Sequence, residues 1–324
     1  MTANVTNAIR VHETGGPEVL RLDEVTREAG TGQLLVRVEA AGVNFIDTYQ
    51  RSGVYSVELP HALGLEGAGT VEAVGDGAGD FAPGDRVAWV WAAGSYAEHV
   101  VVPVERAVRI PDAVDTKTAG ALMLQGLTAH YLLRSTYRVD ETDTVLVHAA
   151  AGGVGLLLVQ LATSLGARVI ATASTAEKRA LATGAGADEV LGYEDFDTKV
   201  RELTGGTGVS VVYDGVGKDT FEASLASIRP RGYLVLFGGS SGQVPPFDLQ
   251  RLNAAGSLFV TRPSLGPYIA DRAEYEWRVG ELFEAVGNGS LQVRIGGSYP
   301  LTEAANAHRD LEGRKTTGKL LLVP

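Results

Sequence analysis

The chain has 324 residues, 45% of them apolar and 21% charged, a composition typical of a globular protein and a length sufficient for two domains. Its 39 acidic residues against 28 basic ones leave a net charge of −11, which opposes non-specific binding to nucleic acid or anionic membranes, so any anion site must be built locally. There is no cysteine, which excludes disulfides, thiol nucleophiles, iron–sulfur ligation and any zinc site that needs cysteine.

From residue 5 to about 110 the sequence reads as short strands with glycine turns. Gln33-Leu-Leu-Val-Arg-Val-Glu39 alternates apolar with polar positions, and Gly67 to Val74 is a second strand-like segment. Turns at Glu13–Pro17 and Ala82–Asp85 punctuate them, and the pattern predicts a β-sandwich or barrel. From about residue 123 the texture changes. Strand-like runs at 144–148, 168–173, 189–193, 209–213 and 232–237 alternate with helical stretches, which predicts a doubly wound parallel sheet. Residues 257–261 read as a sixth strand at its edge. After Pro263 a helix over about 272–287 and a strand over 319–323 are too little for a separate domain. The expectation is a discontinuous α/β architecture, 1–122 with 264–324 forming one domain and 123–263 the other, with a cleft between them. No apolar run approaches a membrane span of about 18 residues, and Met1–Asn7 lacks the features of a signal peptide, so a cytoplasmic location is expected.

Within the second region, Val145-Leu-Val-His-Ala-Ala-Ala-Gly-Gly-Val-Gly155 leads from a strand through a turn of small residues into a helix. Ala150, Gly152 and Gly155 fall on the spacing of a dinucleotide fingerprint, with alanine in the first glycine's place. Small side chains let the backbone of Ala151, Gly152, Gly153, Val154 and Gly155 approach a pyrophosphate at a helix N-terminus. About twenty residues on, an NAD site offers an acidic residue to the ribose. Here Ser174 stands there, with Lys178 beyond; together they can bond and neutralise a 2′-phosphate, which points to NADPH. The plain alternatives are a strand–helix turn and a solvated lysine beside Glu177.

Several segments together resemble the zinc-free quinone oxidoreductases (the zeta-crystallin-like group) of the medium-chain dehydrogenase/reductase superfamily. They are Ala41–Tyr55, Gln125-Gly-Leu-Thr-Ala129, His148–Gly155, Phe237-Gly-Gly-Ser-Ser-Gly242 and Val260-Thr-Arg-Pro-Ser264. The resemblance implies a β-rich GroES-like catalytic domain, a Rossmann domain, NADPH as cofactor and a homodimer paired through the 257–261 edge. Zinc-dependent relatives place Cys or Ser in the first segment and His in a Gly-His-Glu motif. Here Asn44 and Gly64-Leu65-Glu66 stand instead, and leucine cannot ligate a metal, so neither zinc site is expected.

By the same resemblance Asn44, Tyr49 and Tyr55 would polarise a substrate carbonyl as hydride arrives. Asn44 with Asp47 also has the spacing of a helix N-cap with a partial capping box, which alone would explain an asparagine there. The family would place Gln125, where relatives often carry Lys, and Thr128 beside the nicotinamide; Tyr193 near the adenosine or 2′-phosphate; Phe237, Gly238, Gly239 and Ser240 on a loop passing the nicotinamide; and Arg262 and Arg314 near the cofactor phosphates or the cleft. Gly238–Gly242 also spells a hydrolase elbow, but Gln243-Val-Pro-Pro blocks the helix an elbow needs. Gly313–Lys319 almost spells a P-loop, yet Leu320 replaces the magnesium ligand and a strand follows. The six histidines make no ligand-spaced pair, and His148 reads as a strand end. The expected activity is NADPH-dependent, metal-free reduction of quinones. The competing readings are a 2-enoyl thioester or alkenal/enone reductase, and a non-catalytic NADPH-binding crystallin-like protein or sensor.

Overall fold

The alternation in Gln33–Val43 buries Leu34, Val36 and Val38 on one face, and this strand organises the first half of the computed structural model, which describes residues 4–324. It pairs antiparallel with Glu66–Val74 and with His99–Pro103. The C-terminal strand Lys319–Val323 also joins it, with Leu320 opposite Val43 and Leu322 opposite Ala41. Together with Ile295–Pro300, Arg86–Val90 and Ala107–Arg109 these strands make a seven-stranded sheet; Leu20–Arg27, Asn4–Val11 and His61–Ala62 make a three-stranded one. Val36, Val71, Trp89, Tyr96 and Leu322 are among the residues that fill the core. By contacts the chain divides into two units, Met1–Leu127 with Ile269–Pro324, and Thr128–Tyr268.

The second unit is the expected doubly wound sheet. Its six strands are all parallel, in the order Glu189–Leu191, Arg168–Thr172, Thr144–Val147, Val209–Asp214, Ile228–Leu236, Phe259–Thr261. Strands covered on both faces read as apolar runs because neither face meets water. Leu146, Ile170, Val212 and Leu234 are accordingly fully buried.

Several boundaries differ from the sequence reading. Gly192 ends the third run early, so Tyr193 lies in the following loop. The fifth strand starts at Ile228 and the last shrinks to Phe259–Thr261, after Ser257 turns through φ 58°. Strand Ile295–Pro300 and helix Ala304–Glu312 have no counterpart in the sequence reading. Among the described residues no helix is long and apolar enough to cross a membrane.

Candidate functional site

In the Thr128–Tyr268 unit the strand Thr144–Val147 runs through His148 to Ala149, which takes a left-handed φ of 51° and reverses the chain. Gly152 N–H bonds the Ala149 carbonyl at 2.8 Å, and helix Gly153–Ser164 starts immediately. Its N-cap, Gly152, brings no side chain, so the first-turn N–H groups of Gly153, Val154 and Gly155 point ahead of the helix without a cap. A Cβ on Gly155 would lie 2.3 Å from the Ala149 oxygen. The glycine is required because the helix rests directly on the turn. Ala151 is buried in the turn itself.

Tyr193 is brought to this turn, its Oη accepting Ala149 N–H at 3.0 Å. At the end of the next strand Ser174 is exposed, and Thr175 caps helix Ala176–Gly184 by accepting Lys178 N–H at 3.2 Å. The cap fixes the backbone that carries Lys178 one turn from Ser174. Phe237 and Gly238 both donate to the Asp214 carbonyl, and Ser240 N–H donates to Gly215 O, so this loop lies against 214–217. A Cβ on Gly238 would meet Gly215 O at 2.6 Å. Arg262 is exposed and bonds Leu236 O, while Thr128 is buried. No helix forms between Gly242 and Asp248, so the loop is not a hydrolase elbow.

In the other unit Asn44 precedes helix Phe45–Ser52 and is 3% exposed. Its amide is committed internally. Nδ2 donates to Glu66 Oε1 at 2.7 Å and to Gly42 O at 3.3 Å, while Oδ1 accepts from Lys319 Nζ at 2.6 Å and Gln125 Nε2 at 3.4 Å. Lys319 Nζ also forms a short ion pair with Glu66 Oε1, and both side chains are buried. Glu66 Oε2 accepts Leu124 N–H at 2.6 Å, which ties the carboxylate to the residue before Gln125. Gly42 makes this possible, because a Cβ there would fall 2.2 Å from Glu66 Oε1. The rings of Tyr49 and Tyr55 meet edge to face at 5.4 Å, and Tyr55 is 39% exposed. Arg314 stands on the exposed turn after helix Ala304–Glu312, with φ 54°.

Sequence reasoning missed a second buried chain of polar groups. Asp47 Oδ2 accepts Asn44 N–H at 2.8 Å and the Tyr96 hydroxyl at 2.7 Å; Tyr96 Oη lies 3.3 Å from His308 Nε2. His308 Nδ1 lies 3.1 Å from an Arg51 nitrogen, and Arg51 pairs with Glu312 at 2.7 and 3.1 Å. Burial, reinforced by Arg51, pushes the His308 pKa down to about 3, so its ring is neutral. Nδ1 must then accept from Arg51, and Nε2–H donates to Tyr96. Burial lifts the Asp47 carboxyl to about 7 against the pull of Tyr96, Asn44 and Lys319, and its Oδ1 has no hydrogen-bond partner. Only the Asn44/Asp47 spacing hinted at this arrangement.

An open apolar groove of about 990 Å³, lined by residues such as Phe81, Val108, Val279 and Phe283, contains none of the candidate residues.

Two family descriptions match the chain, the alcohol dehydrogenase GroES-like domain over residues 30–112 and the zinc-binding dehydrogenase domain over 153–277. A quinone oxidoreductase of Pseudomonas aeruginosa is 47% identical over 96% of this chain and 97% of that protein. A mycobacterial protein solved with NADPH is 55% identical, with a TM-score of 0.95, covering 98% of this chain and all of that one. Escherichia coli quinone oxidoreductase, also solved with NADPH, is 44% identical with a TM-score of 0.96 over the same shares. The zinc in one of those descriptions does not fit the residues here. Leu65 has no donor atom, Asn44 Oδ1 already accepts a lysine ammonium, and among the described residues no three acidic or histidine side chains group as ligands. Sequence, sheet topology and solved relatives agree: the chain belongs to the quinone oxidoreductases of the medium-chain dehydrogenase/reductase superfamily.

Proposed function

We propose that the protein is an NADPH-dependent quinone oxidoreductase that works without a metal. The observation that carries the reading is the uncapped turn at 149–155, where Gly155 is pressed against the Ala149 carbonyl and the first-turn amides point outward. Two relatives of known structure that share this fold were solved with NADPH. The backbone amides of Gly153 to Gly155 would hold the pyrophosphate, Ser174 and Lys178 the 2′-phosphate, and Tyr193 keeps the turn in place through Ala149 N–H. The bound cofactor supplies a hydride from C4 of its nicotinamide to a conjugated carbonyl.

The phenols of Tyr49 and Tyr55 are the donors assigned to the substrate oxygen; their edge-to-face contact holds both in one orientation. Asn44 takes a different role from the one its resemblance implied. With its amide hydrogens on Glu66 and Gly42, it positions Gln125 beside the buried Lys319–Glu66 pair. Quinones suit such a site because they are electrophilic already, so positioning and a few hydrogen bonds suffice.

A panel of quinones and enones, each with NADPH and NADH, tests the reading. Turnover of quinones with NADPH is expected; none with any acceptor, despite tight cofactor binding, would sink the enzyme assignment in favour of a binding protein. Enone or 2-enoyl thioester reduction is the second reading, favoured by a 2-haloacrylate reductase that is 43% identical over 97% of this chain. Faster turnover of activated alkenes than of quinones would select it. The same proposal includes a cytoplasmic dimer joined through the edge strand Phe259–Thr261, whose Phe259 and Val260 are exposed. Sedimentation of a Val260→Lys variant as a monomer would support that pairing.

A further inference from the structure

His148 lies under the nucleotide turn in a buried polar chain that the proposed chemistry leaves unused. Its Nδ1 is 2.8 Å from Thr172 Oγ1 and its Nε2 is 2.9 Å from Ser224 Oγ. Ser224 in turn donates to Asp214 Oδ2 at 2.9 Å, and Thr220 donates to the same oxygen at 2.7 Å. Asp214 Oδ1 accepts Val216 and Gly217 N–H at 2.8 and 2.9 Å. The donors fix the direction of the chain. A carboxylate only accepts, so the single hydroxyl hydrogen of Ser224 is spent on Asp214, and Ser224 Oγ must accept from His148 Nε2–H. The buried ring is held neutral, its pKa lowered by burial against the pull of Asp214, so Nδ1 accepts from Thr172.

The chain joins the C-terminal ends of three strands to both glycine-rich surfaces. His148 immediately precedes Ala149, whose left-handed φ shapes the 149–155 turn. Asp214 holds the other loop twice, through its carbonyl to Phe237 and Gly238 N–H and through its carboxylate to the 215–217 turn. Gly217 packs so closely on the 237–242 loop that a Cβ would meet Gly242 O at 2.8 Å and Gly239 Cα at 3.1 Å.

We infer that His148 is a positioning residue, its neutral imidazole acting through Ser224 and Asp214 to set the 149–155 turn and the 237–242 loop in one arrangement for the dinucleotide. The inference rests on the reading that this turn binds NADPH. A network that merely stabilised the fold would cost melting temperature and leave the cofactor affinity of the folded protein alone. A positioning network lowers the population of the binding-competent arrangement, and apparent affinity falls by that fraction.

The experiment has two arms on the full chain. In the first, NADPH binding and quinone turnover are measured for wild type, Ser224→Ala and Ser224→Thr, well below each melting point. Ser224→Ala should raise the NADPH Kd and KM on the order of tenfold with little change in the quinone KM, and Ser224→Thr, which restores the hydroxyl, should recover most of that loss. An unchanged NADPH Kd in Ser224→Ala, or equal losses in both variants, overturns the proposal. Wild type that binds no NADPH overturns instead the reading beneath it. In the second arm, nitrogen NMR of selectively labelled histidine needs no cofactor, and its wild-type reading needs no variant. Wild-type His148 should be the Nε2–H tautomer. Asp214→Asn, whose amide donates to Ser224, should reverse the chain and shift the proton to Nδ1. An Nδ1–H tautomer or an imidazolium in wild type contradicts the relay.

Discussion

Replacing Asp47 by Asn separates the two ionisation states of a carboxyl buried beside Asn44. Asp47 is 0% exposed, takes two donors on Oδ2 and has no partner on Oδ1. Burial raises its pKa from 3.8 to about 7, with Tyr96, Asn44 and Lys319 opposing the rise and Glu66 adding to it. The folded state therefore binds this proton more tightly than the unfolded state. Its contribution is fully present below the unfolded value of 3.8 and is lost as pH rises through the folded value near 7. At 1.36 kcal/mol per unit, the full span corresponds to roughly 4 kcal/mol, of which about 2 kcal/mol falls between about pH 5 and pH 7. Asn mimics the protonated acid and does not titrate. Other groups titrate alike in both proteins, so the difference in unfolding free energy, wild type minus Asp47→Asn, isolates this one. Urea unfolding followed by tryptophan fluorescence suits the test, because Trp89, Trp91 and Trp277 all lie in the unit that contains Asp47. The difference should fall steadily from about pH 5 to pH 7 and level off above about pH 8. A flat or rising difference would refute the reasoning, since it would mean that the folded protein holds Asp47 ionised throughout.

Lys319→Met leaves Glu66 charged and unpaired in the interior, which should cost about 3–5 kcal/mol in the same fluorescence assay, and adding Glu66→Gln should recover part of it. Gly155→Ala drives a Cβ into the Ala149 carbonyl at 2.3 Å, so NADPH binding measured by calorimetry should fall at least tenfold, on the order of 1.4 kcal/mol or more. Tyr49→Phe and Tyr55→Phe should each lower quinone turnover, by about a hundredfold to a thousandfold for one lost oxyanion donor, while leaving the NADPH Kd unchanged; equal losses in both quantities would argue for a packing role.

The parallel sheet, the nucleotide turn and the C-terminal strand were legible because each rests on local pattern: apolar runs, small residues at fixed spacing, a strand-length apolar end. Strand Ile295–Pro300 was not, since Gly296, Gly297 and Pro300 deprive it of strand character and only its partner Lys319–Val323 defines it. The polar clusters failed to show for a different reason. Lys319, Glu66 and Asn44 lie in three segments, and only the antiparallel register of Lys319–Val323 on Gln33–Val43 brings the first to the last. Gly42, a glycine inside a strand, was the available signal that something crosses the backbone closely there. Likewise His148 read as a strand end, because Ser224 and Asp214 reach it only through the winding of the sheet.

Hydride transfer from NADPH to a quinone by this chain's own polar groups, in place of a metal, is the step on which the proposed function stands. Single-turnover mixing tests it most directly: chelator-treated protein loaded with NADPH, and separately with NADH, is mixed with a quinone while cofactor absorbance is followed. Stoichiometric oxidation of NADPH is expected, at a rate that chelation does not change, with weaker loading by NADH. Loss of the reaction on chelation and its return with zinc, or equal loading by both cofactors, would contradict it.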